Sequence, residues 1–369
     1  MAGLHAMTGG RGAFAVGTAV AEPGERAAGH LAVKLPDGES VEIAVWVLHG
    51  STDGPVLYVH STQHGNEISG IEVVRRVSQT LDPRRLRGTL IAVPIANPLA
   101  FHWRRHHYLQ DPDEGYQAHP EKDMGQAWPG DPAGTHPQRL AHALWDGAVR
   151  HATHVLDLHT WNRWQAAATM VDADHAPSLE LAQAFGLWVQ TRREPDRREP
   201  VPPETIANRS LPRLALDHDK AVCTPNFTGQ WDIYEPEVRR GVAGLRSVLR
   251  HLGMWPARSE PARSEPAHRA HRAPVVFSTD ELLNVSVPEA GIFLPRVRPE
   301  QRVRQGQILG ELVRLSDFRA VPVLAPVNAL VYLIGAISPG ADVALPPMMP
   351  ITQTNGRVAR LLPLPASAP

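Results

Sequence analysis

The sequence predicts an α/β layered domain with a largely parallel sheet, followed by a small C-terminal β domain. Three observations carry this. Short runs rich in Val, Ile and Leu recur at residues 55–60, 90–96 and 154–159, as expected of strands buried on both faces. Segments with helical apolar spacing lie between them, and strands alternating with helices imply parallel pairing. Past residue 273 the helical spacing stops, and short runs broken by Gly and Pro take over.

Taken in order, residues 12–50 read as short strands, with alternation over 40–47. Residues 55–60 form the first buried strand. The spacing of Ile68, Ile71, Val74 and Val77 predicts a helix over 67–80, and 90–96 is the second buried strand. Residues 97–134 are polar and rich in Pro, Gly, Asp and His; a loop this long inside a domain is commonly functional. A helix is predicted at 138–150, strands at 154–159 and 166–171, and a helix at 177–186. A short strand at 220–225 and a helix at 236–252, ending at Gly253, complete a domain over 1–255. Residues 256–273 hold Pro-Ala-Arg-Ser-Glu twice in tandem and then Pro-Ala-His-Arg-Ala-His-Arg-Ala. Such low complexity cannot bury a core, so this stretch reads as a linker. Residues 274–369 form the β domain, whose rhythm resembles a lipoyl- or biotinyl-type β-barrel. The attachment lysine of such barrels has no counterpart, since no Lys follows Lys220.

Composition narrows the function classes. The 369 residues are 43% hydrophobic with a formal net charge of -1, which argues against a general nucleic-acid binder. A single Cys excludes an intramolecular disulfide and any multi-Cys metal site, so a metal would need His and carboxylates; there are 19 His. The first 12 residues have no apolar core behind a basic start, and no apolar run approaches the ~20 residues of a membrane helix. The expected setting is cytoplasmic and the expected partner a small-molecule substrate, without nucleic acid or membrane. The oligomeric state is left open, with room for a homo-oligomer.

The chemistry gathers in two short motifs. His64-Gly65-Asn66-Glu67 follows the first buried strand. Ligands of α/β folds bind at such strand ends. His64 and Glu67 are three apart and would share one face of a helical turn, with Gly65 easing the bend. Asp157-Leu158-His159-Thr160 ends another buried strand. There Asp157 and His159 point to the same side. Two imidazoles, one carboxylate and an open position for water form a known catalytic zinc set, with Asp157 orienting an imidazole from behind.

The order of these motifs, with Asn97-Pro98-Leu99-Ala100-Phe101 and Trp128-Pro129-Gly130 between them, resembles the succinylglutamate desuccinylase/aspartoacylase family of zinc amide hydrolases, related to the M14 carboxypeptidases. The resemblance spans roughly residues 50–255. It implies a carboxypeptidase-like three-layer α/β/α domain with a mixed, largely parallel sheet, and hydrolysis of an N-acyl amide. One Zn2+ per chain would sit on His64, Glu67 and His159. Three departures stand out. The Asn-Arg pair that grips a substrate carboxylate in relatives is Gly125-Gln126 here, and a Gln amide is neutral. The general-base Glu aligns with Asn226, which cannot accept a proton; losing a general base typically costs ~10²–10⁴-fold. The Arg that polarises the carbonyl falls in a crowded stretch, 102–108, where Arg105 is favoured over Arg104. Asn97, Arg104 and Gln126 are the expected substrate contacts. A zinc-dependent amide or ester hydrolase is the leading reading; a zinc-binding protein without turnover, and a metal-dependent acyl-transfer enzyme, are the alternatives.

Overall fold

One sheet of nine strands organises most of the chain. The computed structural model describes residues 11–110, 121–161, 163–192, 209–256, 274–337 and 351–365. Its elements begin with β1 (Phe14–Val16), β2 (Ala19–Ala21), β3 (Glu25–Lys34), β4 (Ser40–His49), β5 (Thr52–Ser61), α1 (Ser69–Thr80), β6 (Arg87–Val93), α2 (Pro98–His102) and α3 (His136–Gly147). They continue with β7 (His154–Trp161), β8 (Ala168–Asp172), α4 (Ala176–Phe185), β9 (Trp188–Arg192), α5 (Leu211–Asp217), β10 (Ala221–Thr228), α6 (Glu235–His251) and β11 (Val276–Ser278). The strand order in the large sheet is β11-β9-β8-β10-β7-β5-β6-β4-β3. Five of its neighbouring pairs are parallel; β8 with β10, β6 with β4, and β4 with β3 are antiparallel.

Helices cover both faces. Val73, Val74 and Val77 of α1, with apolar residues of α4 and α6, form one core against the sheet. Leu140, Ala141 and Leu144 of α3 and Leu211, Leu214 and Ala215 of α5 form the other. The helices are punctuated as their sequences suggest: Thr135 and Gln138 close a capping box on α3, and Gly186 ends α4 at φ +86°. Eight further short strands between residues 283 and 363 form two four-stranded antiparallel sheets around their own core. They dock on the large domain through Tyr332, whose hydroxyl donates to Gln190 (2.6 Å) and accepts from Gln165 (2.8 Å). The architecture is thus the expected α/β class with additional C-terminal β structure.

The structure differs from the sequence reading in several places. Residues 64–67 form a turn and not a helical face; α1 begins only at Ser69. The strand expected at 220–225 continues to Thr228. Pro225 disguises it, since proline in a central strand removes a ladder donor. Strand β9 and helices α2 and α5 were not anticipated. Strand β11 lies beyond residue 273 yet pairs with β9, so membership of the large sheet does not stop at the expected boundary. The repeat, apart from Pro256, lies outside the described residues.

For the site, one feature of this topology matters most. Strand β5 is flanked by β6 on one side and β7 on the other, so the chain's progression across the sheet reverses beside β5. That reversal opens a crevice at the carboxyl ends of β5 and β7, where α/β sheets take ligands.

Candidate metal centre

After β5 the chain turns over the sheet edge in an unusual conformation. Thr62 has φ +58°. Gly65 lies so close to its neighbours that an added Cβ would sit 2.2–2.4 Å from backbone atoms of Ala100 and Arg105, so only glycine fits. The Glu67 N–H donates to the carbonyl of His64 at 3.1 Å, closing the turn. This turn, held from outside by residues 100–106, brings His64 and Glu67 together.

His159, on β7, completes the group. The Nδ1 of His64 lies 3.0 Å from Glu67 Oε1, and the Nδ1 of His159 lies 2.7 Å from Glu67 Oε2. The Thr160 N–H also donates to Oε2, at 3.0 Å, fixing the carboxylate. The ligand atoms of His64, Glu67 and His159 all fall within 4.8 Å of one another, a spacing that can hold a metal ion. Each imidazole turns its other nitrogen to an aspartate. His64 Nε2 is 3.2 Å from Asp123 Oδ1, and His159 Nε2 is 2.8 Å from Asp157 Oδ1. Carboxylates behind ligating imidazoles set their tautomer and raise their basicity.

The charges follow from this packing. Burial alone would lower the His64 pKa, but Glu67 and Asp123 outweigh it and lift it to about 9. His159 is likewise raised against the effect of burial, by Asp157 and Glu67. Burial pushes Glu67, Asp123 and Asp157 the other way, yet the neighbouring imidazoles hold all three well below the usual carboxylate range. A metal ion would therefore compete with protons on the two Nδ1 atoms.

A second ring of contacts stiffens the site. Asp157 Oδ1 also accepts from His60 Nε2 at 2.6 Å, and His60 Nδ1 meets the Tyr58 hydroxyl at 3.0 Å. Trp128, of the Trp128-Pro129-Gly130 turn, donates its indole N–H to Gln63 Oε1 at 2.8 Å. Asp123 accepts from the Gly125 N–H (2.7 Å) and from Gln126 Nε2 (3.0 Å). A Cβ on Gly125 would lie 3.3 Å from His64 Nε2, so a larger residue would crowd the approach of Asp123 to His64.

Two histidines that the sequence reading did not single out join this cluster. The His106 ring stacks on His64 with centroids 4.1 Å apart, and its Nδ1 meets Asn66 Oδ1 at 2.7 Å. The His107 ring stands edge-on to His64 at 5.3 Å, its Nδ1 lying 3.5 Å from Asp123 Oδ1. Together with His64 they form a second set of three ligand atoms within 4.8 Å. Burial, then the charge of His64, pushes the His106 pKa well below its ordinary value. Their position in a long polar loop after a buried strand was the available signal.

The remaining expected residues fall as follows. Asn226 is buried on β10 directly beside His159 in the parallel register, and its Nδ2 donates to the Thr224 carbonyl at 2.9 Å. Asn97, 1% exposed, caps α2 by accepting from the Ala100 N–H at 3.0 Å, and donates to the Gln63 carbonyl at 3.1 Å. Gln126 spends its amide on Asp123. Arg104 is exposed with φ +53°, and Arg105 is half-buried, its carbonyl packed on Gly65.

The family model of the succinylglutamate desuccinylase/aspartoacylase catalytic domain matches residues 53–252, more than half of the chain, and that span holds every residue of this cluster. The chain belongs to the succinylglutamate desuccinylase/aspartoacylase family. Family members are hydrolytic deacylases that act on amides of small molecules. The fold is similar to that of a succinylglutamate desuccinylase/aspartoacylase from Rhodobacter sphaeroides, with a TM-score of 0.67 and 21% identity over 91% of this chain and 95% of that one. It is similarly close to an aspartoacylase family protein from Mesorhizobium loti, with a TM-score of 0.65 and 23% identity over 93% and 96% of the two chains. An N-alpha-acetyl-L-2,4-diaminobutyric acid deacetylase of Halomonas elongata is 29% identical over 142 residues, 36% of this chain; the match spans 39% of that relative's length. Among the described residues no helix is long and apolar enough to cross a membrane.

Proposed function

We propose that this chain is a zinc-dependent hydrolase that removes an acyl group from a small N-acyl amide, or cleaves a related ester. The observation that carries the reading is the convergence of one ligand atom from each of His64, Glu67 and His159, all within 4.8 Å of one another. Two imidazole nitrogens and one carboxylate are a donor set suited to zinc with one position left open. When bound there, the ion supplies Lewis-acid polarisation of a carbonyl and lowers the pKa of a water toward ~7.

The chain's own groups do the rest. Asp123 and Asp157 keep the two imidazoles oriented, with Nδ1 of each toward Glu67. Asn226, in register with His159, is suited to hydrogen-bond a water or a developing oxyanion, since an amide N–H can donate where it cannot take up a proton. Arg105, or Arg104, would bear on the substrate carbonyl from the loop that clasps Gly65. Gln126 would contact substrate only through the part of its amide not engaged with Asp123. Lacking an Asn-Arg pair, the site is suited to a substrate without a free carboxylate at that end.

One observation favours a second reading. Asn226 stands where the family resemblance expects a general base, so a zinc-binding protein without turnover, or an acyl-transfer enzyme, would keep the same ligands. Wild type and Asn226→Glu, assayed on a panel of N-acyl amino acids and their amides with zinc content recorded, separate these. Robust wild-type hydrolysis supports the proposal. Bound zinc with turnover only in the variant supports the non-catalytic reading, and protein that takes up no zinc rejects all three readings.

A further inference from the structure

We propose that two loops bordering the metal centre form an apolar rim that receives an uncharged aliphatic or aromatic acyl chain of the substrate. This rests on the hydrolase reading above. The loops are residues 97–110, after β6, and residues 229–234, after β10, so both leave carboxyl ends of sheet strands. Both are tied to the turn that carries His64 and Glu67. On the first, the His106 carbonyl accepts from the Gly65 N–H at 3.1 Å. On the second, the Trp231 N–H donates to the Asn66 carbonyl at 2.9 Å, and the Asp232 carbonyl accepts from the Ser69 hydroxyl at 2.9 Å.

These anchored loops present their large apolar side chains to solvent. Phe101, Trp103 and Leu109 on one, and Trp231, Ile233 and Tyr234 on the other, are between 38% and 62% exposed. Scattered exposed apolar residues need no explanation, but six on two loops that grip one turn do. Folding does not account for two of them. Leu109 has φ +62° and Trp231 φ +65°, left-handed conformations that cost a non-glycine residue on the order of 1 kcal/mol. Half-exposed, these side chains recover only part of the free energy of burial. Glycine would suit the backbone of either position better, and contact with the acyl chain gives the bulky apolar group a role there.

The test uses the full-length zinc-loaded protein and acyl amides of one amine, from acetyl to hexanoyl, with succinyl as the charged comparison. The matching hydroxamic acids are titrated for Kd by tryptophan fluorescence. Burial of each methylene at ~0.8 kcal/mol corresponds to about fourfold in affinity. The expected result is a rise of about two- to fourfold per methylene in kcat/KM and in 1/Kd, with butyryl ahead of succinyl. Trp231→Gly should flatten both slopes while leaving the urea midpoint unchanged or higher, an outcome a purely structural tryptophan would not give. Trp103→Ser, at a more exposed site, is the second variant. A series flat in both measurements, or succinyl ahead of butyryl in both, overturns the rim. Hydroxamate slopes without any turnover support the rim and reject the hydrolase reading instead.

Discussion

Asp157→Asn separates charge from geometry at the heart of the site. One oxygen of Asp157 accepts from His60 Nε2 at 2.6 Å and from His159 Nε2 at 2.8 Å, in a fully buried position. An asparagine has the same shape, and its oxygen can keep both contacts, so only the charge is lost. A hydrogen bond to a charged group contributes ~1.5–3 kcal/mol, a neutral one ~0.5–1.5. Two such bonds weakened together should cost the metal-free protein about 2–3 kcal/mol. His159 also loses the carboxylate that makes it a more basic ligand, which typically lowers metal affinity ~10–100-fold, or about 1.4–2.7 kcal/mol. Urea denaturation of the metal-free protein reads the first quantity, and competition with a chromophoric zinc chelator at fixed pH reads the second. Unchanged zinc affinity in a variant with wild-type circular dichroism would refute the claim that Asp157 tunes His159 as a ligand.

Zinc affinity should rise with pH. The His64 pKa is raised from 6.5 to about 9 in the folded protein, so its ion pairing stabilises the metal-free fold fully below about 6.5, and that contribution fades as pH climbs through about 9. Zinc must displace a proton across the same window, and chelator competition between pH 6.5 and 9 should show tighter binding at each step. Gly65→Ala should destabilise by about 1–3 kcal/mol or more, because the new methyl meets backbone that cannot swing aside; faster amide exchange over residues 100–106 is the local readout. Stripping zinc from protein held at 100 times the Kd should lower stability by about 2.7 kcal/mol. Glu67→Gln, which removes the carboxylate between the two imidazoles, should abolish that difference in the same denaturation assay.

Much of this was legible in local pattern. Buried strands announce themselves by runs of branched apolar residues, and the two ligand motifs lie at their ends, so His64, Glu67 and His159 could be selected from the sequence. Helix α1 was legible for the same reason, although its start was not. The turn at 64–67 depends on Gly65 meeting Ala100 and Arg105, more than thirty residues away, and helical spacing cannot register such a contact. Asn97 shows the same limit: its capping and loop bonds are defined only by the folded backbone, and the motif does not announce them.

The layered α/β class, and the selection of His64, Glu67 and His159 as the three residues that the fold brings within 4.8 Å of one another, follow from the sequence alone, because periodicity and strand-end position are properties of neighbouring residues. The tertiary structure decided the rest. It brought Asp123 and the His106-His107 pair against His64, set Asn226 beside His159 by carrying β10 past Pro225, and tied two apolar loops to one turn. The physical reason is that these are contacts between segments far apart in the chain, fixed by packing on both faces of the sheet and by loop hydrogen bonds that leave no periodic trace in the sequence.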